Sequence, residues 1–193
     1  FSSVRTAVPQ PKFDLLTQST EYRRAMAQQA EAFAQQLPGY RVKVAYPSLM
    51  MVLQRVGAGP VESSLMVSRV AYLGIGMLLF AWLTSSLTPL MALVLAWGIA
   101  STSNVLQLAQ LSTPDALSTA VLLLSTWLIF VTGRLRSGLA VVVLSICVRP
   151  DNIAFLAAMA AVLADTRRDA RLPALVAFAL GLGIRLGVIT AAG

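Results

Sequence analysis

The apolar and polar positions divide the chain into a polar first part and a series of apolar runs. Within the polar part, four apolar residues recur at helical spacing: Met26, Ala30, Phe33 and Leu37. This spacing predicts an amphipathic helix over residues 21–37, which lies on a membrane surface or against the body of the protein. Ser19 or Thr20 is placed to cap its start, and Pro38-Gly39 ends it.

The apolar part begins with a short run. Residues 48–56 predict a helix with Pro47 at its first position, too short to cross a bilayer because a crossing needs roughly 20 residues. Seven further runs follow: residues 63–83, 89–100, 105–111, 116–132, 139–148, 153–164 and 172–192. Several are also short for a crossing. Short segments are common where a substrate site interrupts a membrane bundle. Predicted helix ends that are misplaced by a few residues also make a run look too short.

The composition agrees with a lipid environment. Hydrophobic residues make up 57% of the 193 residues and charged residues only 12%, whereas a soluble domain carries about 25% charged residues. These values exclude a disordered chain, a coiled coil and an ordinary cytosolic enzyme. We therefore predict an all-α fold, with extracytoplasmic amphipathic and juxtamembrane helices over residues 1–60. A polytopic membrane helical bundle of about five to six transmembrane helices follows over residues 61–193.

The positive charge predicts an orientation. The net charge is +7, but single arginines and short clusters between apolar runs do not form the continuous basic face that nucleic-acid binding needs. The two dense clusters are Arg134/Arg136 and Arg167/Arg168/Arg171, and the positive-inside rule places both on the cytoplasmic side. Residues 1–62, 101–114 and 149–152 are then expected together on the outer face.

The available chemistry is narrow. The chain has no histidine and one cysteine, Cys147, so these residues cannot supply a Ser-His-Asp triad, a Cys-His pair or a His-ligated metal site. We expect no metal and no cofactor. Carboxylates, arginine, lysine, tyrosine and backbone groups are left as the working groups.

Two aspartates follow a proline at the start of a predicted helix, Asp115 and Asp151. An acidic residue in a first turn is favoured by the helix dipole and needs no function. Asp151 is the better functional candidate, because Arg149 lies beside it and such a pair can hold a phosphate or a sugar hydroxyl.

Two arginines lie inside predicted crossings. Arg185 is flanked by Gly181, Gly183 and Gly187, and an intramembrane arginine marks a functional site unless it snorkels to the nearer interface. Arg69 lies near the start of its run, where an anchoring role is common.

Three stretches carry a family resemblance. Residues 40–57 place Arg41 and Tyr46-Pro47 before an apolar helix and a glycine. Residues 112–115, Ser-Thr-Pro-Asp, open a helix, and residues 149–152, Arg-Pro-Asp-Asn, precede a short one. In this order, over residues 13–165, the chain resembles the membrane glycosyltransferases of the GT-C class, which include the protein mannosyltransferases and arabinosyl-type transferases.

The resemblance implies transfer of a sugar from a polyprenyl-phosphate donor by inverting displacement at the outer face of a bacterial inner membrane. A carboxylate in the first outer loop then acts as general base or acceptor binder, and outer arginines hold the lipid phosphate. The catalytic role falls to Asp14. Substrate binding is expected of Arg41, Arg69, Arg149, Asp151 and Arg185. The implied partners are the lipid bilayer, the donor lipid and other membrane subunits.

The chain departs from this class in its first residues. The class has its catalytic aspartate directly after a first transmembrane helix, and no such helix precedes Asp14 here. With Tyr22 aligned to the tyrosine that often follows the acid, Gln18 takes the acid's position. Three possibilities follow for the acid: it lies upstream of Phe1, it is Asp14, or it is absent. Because the first residue is not Met, we expect the chain to be a piece of a longer product or a processed chain.

Two other functions remain open at this stage. If the catalytic acid is absent, the chain is a non-catalytic integral membrane subunit that packs in a larger complex. A transporter fits the short helices and Arg185, but the two halves show no internal repeat, so it ranks last.

Overall fold

The computed structural model describes residues 9–29, 31 and 43–192. No β-strand occurs within those ranges, which confirms the all-α prediction for them. The chain divides into two compact units, Phe1–Arg41 and Val42–Gly193. A domain boundary was expected at residue 60, whereas residues 42–60 cluster with the second unit.

The first unit contains α1 (Gln10–Gln18) and α2 (Glu21–Gln28). Pro11 lies in the first turn of α1, where its missing N–H is of no consequence. Helix α2 begins at Glu21 as predicted and ends at Gln28, earlier than predicted. The rest of the predicted apolar stripe, at positions 30, 33 and 37, lies outside the described residues.

The second unit contains the apolar helices. They are α3 (Ala45–Arg55), α4 (Pro60–Leu83), α5 (Pro89–Ala100), α6 (Ser103–Gln110), α7 (Asp115–Phe130), α8 (Leu135–Val148), α9 (Asn152–Thr166) and α10 (Arg171–Ala192), with a 3-10 turn at Arg168–Ala170 before α10. Each apolar run of the sequence corresponds to one of them. The prediction that Pro47 opens α3 is wrong, because Pro47 is its third residue. A proline fits there since the N–H groups of a first turn have no partner inside the helix.

Two helices of the second unit are long and apolar enough to cross a membrane: Pro60–Leu83, and Arg168–Ala191, which comprises the 3-10 turn and α10. Helices α5 and α6 make a third crossing if they count as one, although they are bent by 68° at their junction. Helices α7, α8 and α9 are apolar but have only 16, 14 and 15 residues. The coarse prediction of a membrane protein is confirmed at this level.

The core of the second unit lies between α7, α8, α9 and α10. Helix α8 packs against the other three, and the fully buried side chains of the core include Ile129, Val142, Ile146, Leu156 and Leu163. Helix α7 also packs on α4, which contacts α3, α5 and α6. Helix α4 therefore joins the core to the bent pair.

The bend between α5 and α6 is stabilised by side chains of α4. The Tyr72 hydroxyl donates to the carbonyl of Ala100 at 3.0 Å, where α5 ends. The Ser68 hydroxyl donates at 2.8 Å to the carbonyl of Leu111, directly after α6. Carbonyls at helix ends have no partner within the helix, and leaving one unsatisfied in an apolar environment costs several kcal/mol. The two hydroxyls lie one helical turn apart on α4. One satisfies the carbonyl at the end of α5 and the other the carbonyl directly after α6.

Replacing Ser68 by alanine is expected to lower the free energy of unfolding by about 1–2 kcal/mol, because the fully buried hydroxyl is lost and the Leu111 carbonyl is left without its donor. Ser86→Ala is the matched control, since Ser86 is exposed and its side chain makes no hydrogen bond to the described part of the chain. Unfolding in mixed detergent micelles measures both. Equal stability of the two variants would contradict the role given to Ser68.

Candidate functional site

Three helix ends meet at one end of the second unit: the start of α7, the end of α8 and the start of α9. They meet because α7, α8 and α9 follow each other through short connections and pack as antiparallel neighbours. Pro114 precedes α7 and Pro150 lies between α8 and α9, so a proline marks both loops at this end. We call this end, with residues 112–118 and 145–152, the Arg149 end.

Arg149 is the centre of the charged groups here. Its Nη1 forms an ion pair with the Asp115 carboxylate, and its Nη2 lies 3.4 Å from Asp151 Oδ2. The side chains of Arg149 and Asp115 are 35% and 36% exposed, whereas that of Asp151 is 77% exposed. Asp115 is therefore the principal partner, and Asp151 interacts from the solvent side.

The guanidinium keeps unused donors. The Nε atom of Arg149 is buried and has no hydrogen-bond partner in the described ranges. An arginine has five N–H donors, and the two aspartates engage only two of them. Arg149 is thus oriented by Asp115 and still able to bind a further anion.

A buried amide lies next to this pair. Asn152 Nδ2 donates to Ser118 Oγ at 3.0 Å and to the Ser145 carbonyl at 2.9 Å, and the Ser118 hydroxyl lies 3.1 Å from Asn152 Oδ1 as its donor. All three residues are buried. Since they belong to α9, α7 and α8, their hydrogen bonds hold together the helix ends that carry Asp115, Arg149 and Asp151.

Asn152→Leu is expected to lower the free energy of unfolding by about 2 kcal/mol, because it removes three hydrogen bonds. The buried Ser118 hydroxyl loses its partner, and the Ser145 carbonyl keeps only the backbone N–H of Arg149. Asn104→Leu makes the same change at an exposed position of α6 and is the control. Ser118→Ala removes fewer hydrogen bonds and should cost less than Asn152→Leu. If Asn152→Leu unfolds like the control in a denaturation series, the amide does not hold the three helices.

Asp14 and Arg41 are the two candidate site residues in the first unit. Asp14 lies on α1, half-buried, and its Oδ1 accepts from Gln10 Nε2 at 3.1 Å one turn earlier. Arg41 lies outside the described residues. The catalytic role of Asp14 stays a prediction.

Arg69 lies on the outward face of α4. Its side chain is exposed, as are those of its neighbours Met66 and Val70, whereas the preceding Ser68 is fully buried toward the bend. Its guanidinium has no hydrogen bond or ion pair to any residue that the structure describes. The described part of the chain therefore does not fix the position of the Arg69 guanidinium.

Arg185 lies on α10 one turn beyond Gly181. A Cβ atom at Gly181 would lie within 3.2 Å of side chains of Ile146 and Ile153, so α10 passes closely by α8 and α9 there. Ile146 lies near the end of α8 and Ile153 near the start of α9, on either side of Arg149 in sequence. Helix α10 therefore passes the Arg149 end at about Gly181, and Arg185 lies one turn further along α10. Its Nε is buried and finds no hydrogen-bond partner among residues 9–29, 31 and 43–192.

The structure thus brings Arg149 and Asp151 together as expected and adds residues that the sequence analysis did not select. Asp115 was interpreted there as a first-turn acid, and Ser118 and Asn152 were not singled out as site residues. The available signal for Asp115 was that residues 101–114 and 149–152 were already expected on one face. Asp115 directly follows the first of these loops and is therefore expected near Arg149.

Within the described ranges, no group of three or more Asp, Glu, Cys or His residues lies close enough to hold a metal ion.

Comparison with known proteins gives no match: no family model, no curated protein and no solved structure matches the chain.

Proposed function

We propose that the chain is an integral membrane glycosyltransferase, or part of one, that moves a sugar from a polyprenyl-phosphate donor to an acceptor at the membrane face where the Arg149 end lies. The observation that carries the proposal is Arg149 itself. The side chain is about one third exposed, and Asp115 and Asp151 engage one N–H each of Nη1 and Nη2, so two Nη donors remain. Such a group suits the phosphate of a lipid carrier.

The reaction needs positive charge at the leaving group. An acceptor hydroxyl oxygen attacks the anomeric carbon, a new C–O bond forms, and the bond to the phosphate oxygen breaks with its electron pair going to the phosphate. A carboxylate takes the hydroxyl proton, the role that the family resemblance implies for Asp14. Arg149 binds the departing phosphate with donors that Asp115 has already oriented, so little reorganisation is needed as the charge develops.

The distribution of the other arginines supports the outer face of a bacterial inner membrane. Arg134 and Arg136 follow α7, and Arg167, Arg168 and Arg171 follow α9, both at the end of the second unit opposite to Arg149. Short loops rich in arginine stay in the cytoplasm, so the Arg149 end is assigned to the periplasmic side.

The test is sugar transfer by membranes that contain the full protein. Polyprenyl phosphate carrying radiolabelled mannose or glucose is the donor, and the membrane fraction supplies the acceptors. We expect label in an acceptor fraction, and its loss in Asp14→Asn but not in Asp165→Asn, an exposed aspartate at the opposite end. No transfer by these membranes would overturn the proposal in favour of a non-catalytic subunit. Full transfer by Asp14→Asn would remove Asp14 from the mechanism.

A further inference from the structure

Helix α6 lies beside the middle part of α4. The Ala100 carbonyl before α6 accepts a hydrogen bond from the Tyr72 hydroxyl. The Leu111 carbonyl after α6 accepts one from the Ser68 hydroxyl. Tyr72 and Ser68 lie about 18 and 12 Å from the start of α4, which is about 36 Å long. Where α4 crosses a membrane, α6 therefore lies at the depth of the hydrocarbon region.

The exposed face of α6 is polar at this depth. Ser103, Gln107 and Gln110 recur at helical spacing and are all exposed; we call them the α6 polar face. None of the three side chains makes a hydrogen bond to a residue that the structure describes. Val105 and Leu108, turned the other way about the helix axis, are half-buried, and α6 packs mainly on α4. A helix that faces lipid has the opposite pattern, because lipid cannot satisfy amide and hydroxyl groups.

The surface that surrounds the α6 polar face is apolar and uncharged. Leu106 is exposed beside Gln107, and the exposed side chains of α5 include Val94 and Trp97. Residues 70–114 contain no charged residue. Apolar surroundings of this kind suit lipid or protein rather than bulk water. Protein is the one of these two that can supply hydrogen-bond partners for the amides.

We propose that α5 and α6 form the interface between two copies of this chain, related by a two-fold axis that passes near Gln107. An amide group has both donors and an acceptor, so Gln107 and Gln110 of one copy can pair with the same two residues of a second copy. A two-fold interface brings a surface against itself, and the α6 polar face is self-complementary in its hydrogen bonding. The inference does not depend on the proposed function.

Charge also favours this part of the surface for self-association. The chain has a net charge of +7, so two copies repel each other wherever their arginines approach. Arginines lie in the loops after α7 and α9 and at the Arg149 end. Contact through α5 and α6 instead brings together two helices that carry no charge.

The first test measures association in membranes. Copies of the full protein that carry a donor or an acceptor fluorophore are mixed in phosphatidylcholine vesicles, and energy transfer is followed as the protein is diluted with lipid. The wild type is expected to associate. Gln107→Leu/Gln110→Leu is expected to raise the dissociation constant about tenfold or more, because both amides of each copy lose their hydrogen bonds between helices.

Two further variants serve as controls in the same assay. Gln28→Leu/Gln29→Leu makes the same changes at two exposed glutamines of the first unit and should associate like the wild type. Gln107→Asn/Gln110→Asn keeps the amide groups on shorter side chains and should lose less affinity than the leucine variant.

Disulfide cross-linking tests the two-fold axis. In a Cys147→Ser background, Gln107→Cys is expected to form cross-linked dimers in vesicles under mild oxidation, because the same position of the second copy lies across the axis. Ala158→Cys, at an exposed position of α9, is the control and should stay monomeric.

Several results would overturn the proposal. A wild type that stays monomeric at every dilution rejects it, including the case in which a different membrane protein covers α6. Equal association of the leucine variant and the wild type rejects it, as does cross-linking of Gln107→Cys no faster than that of Ala158→Cys. Rapid labelling of Gln107→Cys by a membrane-impermeant thiol reagent would place the α6 polar face in water and reject it too.

Discussion

Replacing Gly138 by alanine is expected to lower the free energy of unfolding by about 2–3 kcal/mol. A Cβ atom at Gly138 would lie 2.3 Å from Ile129 Cγ1 and 2.8 Å from the backbone oxygen of Ser125. The backbone of α7 cannot move aside as a flexible side chain can, so α7 and α8 must separate to admit one methyl group. Overpacking of this kind in a close-packed core typically costs about 1–3 kcal/mol.

Two other glycines make this experiment a graded series. A Cβ at Gly181 would approach only the ends of the Leu156, Ile146 and Ile153 side chains, so Gly181→Ala should cost less than Gly138→Ala. A Cβ at Gly98 would meet nothing within 4 Å, and Gly98→Ala is expected to stabilise α5 slightly, by about 0.5–1 kcal/mol, through helix propensity. Equilibrium unfolding in mixed micelles gives all three values. A Gly138→Ala variant as stable as Gly98→Ala would show that α7 and α8 do not pack as described.

Arg149→Gln is expected to reduce sugar transfer by about 10²–10³-fold, the usual cost of losing a preorganised donor to a developing charge. Arg149→Lys should recover part of the rate, because it keeps the charge and loses the planar donors. Asp115→Asn should have a smaller effect, since it weakens the orientation of Arg149 and leaves the guanidinium in place. The effect of Arg149→Gln should fall on kcat as well as on KM, which a purely structural role would not produce.

The double variant Asp115→Asn/Arg149→Gln separates the roles further. If Asp115 acts through Arg149, the double variant is no less active than Arg149→Gln alone, so the two effects do not add. Arg168→Gln is the control for general loss of positive charge and should transfer normally. Additive losses, or full activity of Arg149→Gln, would remove the Asp115–Arg149 pair from the mechanism.

The helices of the second unit were largely predictable because local residues determine their ends. Pro89 and Thr88 mark the start of α5, and Gly133, at φ +70°, lies in the turn after α7. Such residues act through their own backbone geometry, so the sequence shows them directly. The start of α3 was misplaced because Pro47 fits equally well at the third position of a first turn.

The pairing of side chains was less predictable. Arg149 and Asp151 are neighbours in sequence and were paired at once, but Asp115 is 34 residues from Arg149. Spacing along the chain does not show which helix ends meet, nor which way a side chain turns about its helix axis. For the same reason, the sequence does not distinguish the environment of Arg69 from that of Arg185. Both are single arginines in apolar runs, and only packing shows that one faces outward and the other has a buried Nε.

The unequal helix lengths have a consequence for the surrounding lipid. Helix α4 is about 36 Å long, whereas α7, α8 and α9 are about 21–24 Å, shorter than the roughly 30 Å of a bilayer's hydrocarbon region. A short helix in a thick bilayer is accommodated by local thinning of the lipid or by tilting, at a modest cost per ångström of mismatch. Thinning beside α7–α9 lowers the headgroup plane toward Arg149, so the thickness of the host membrane sets how deeply a lipid must sink to reach it.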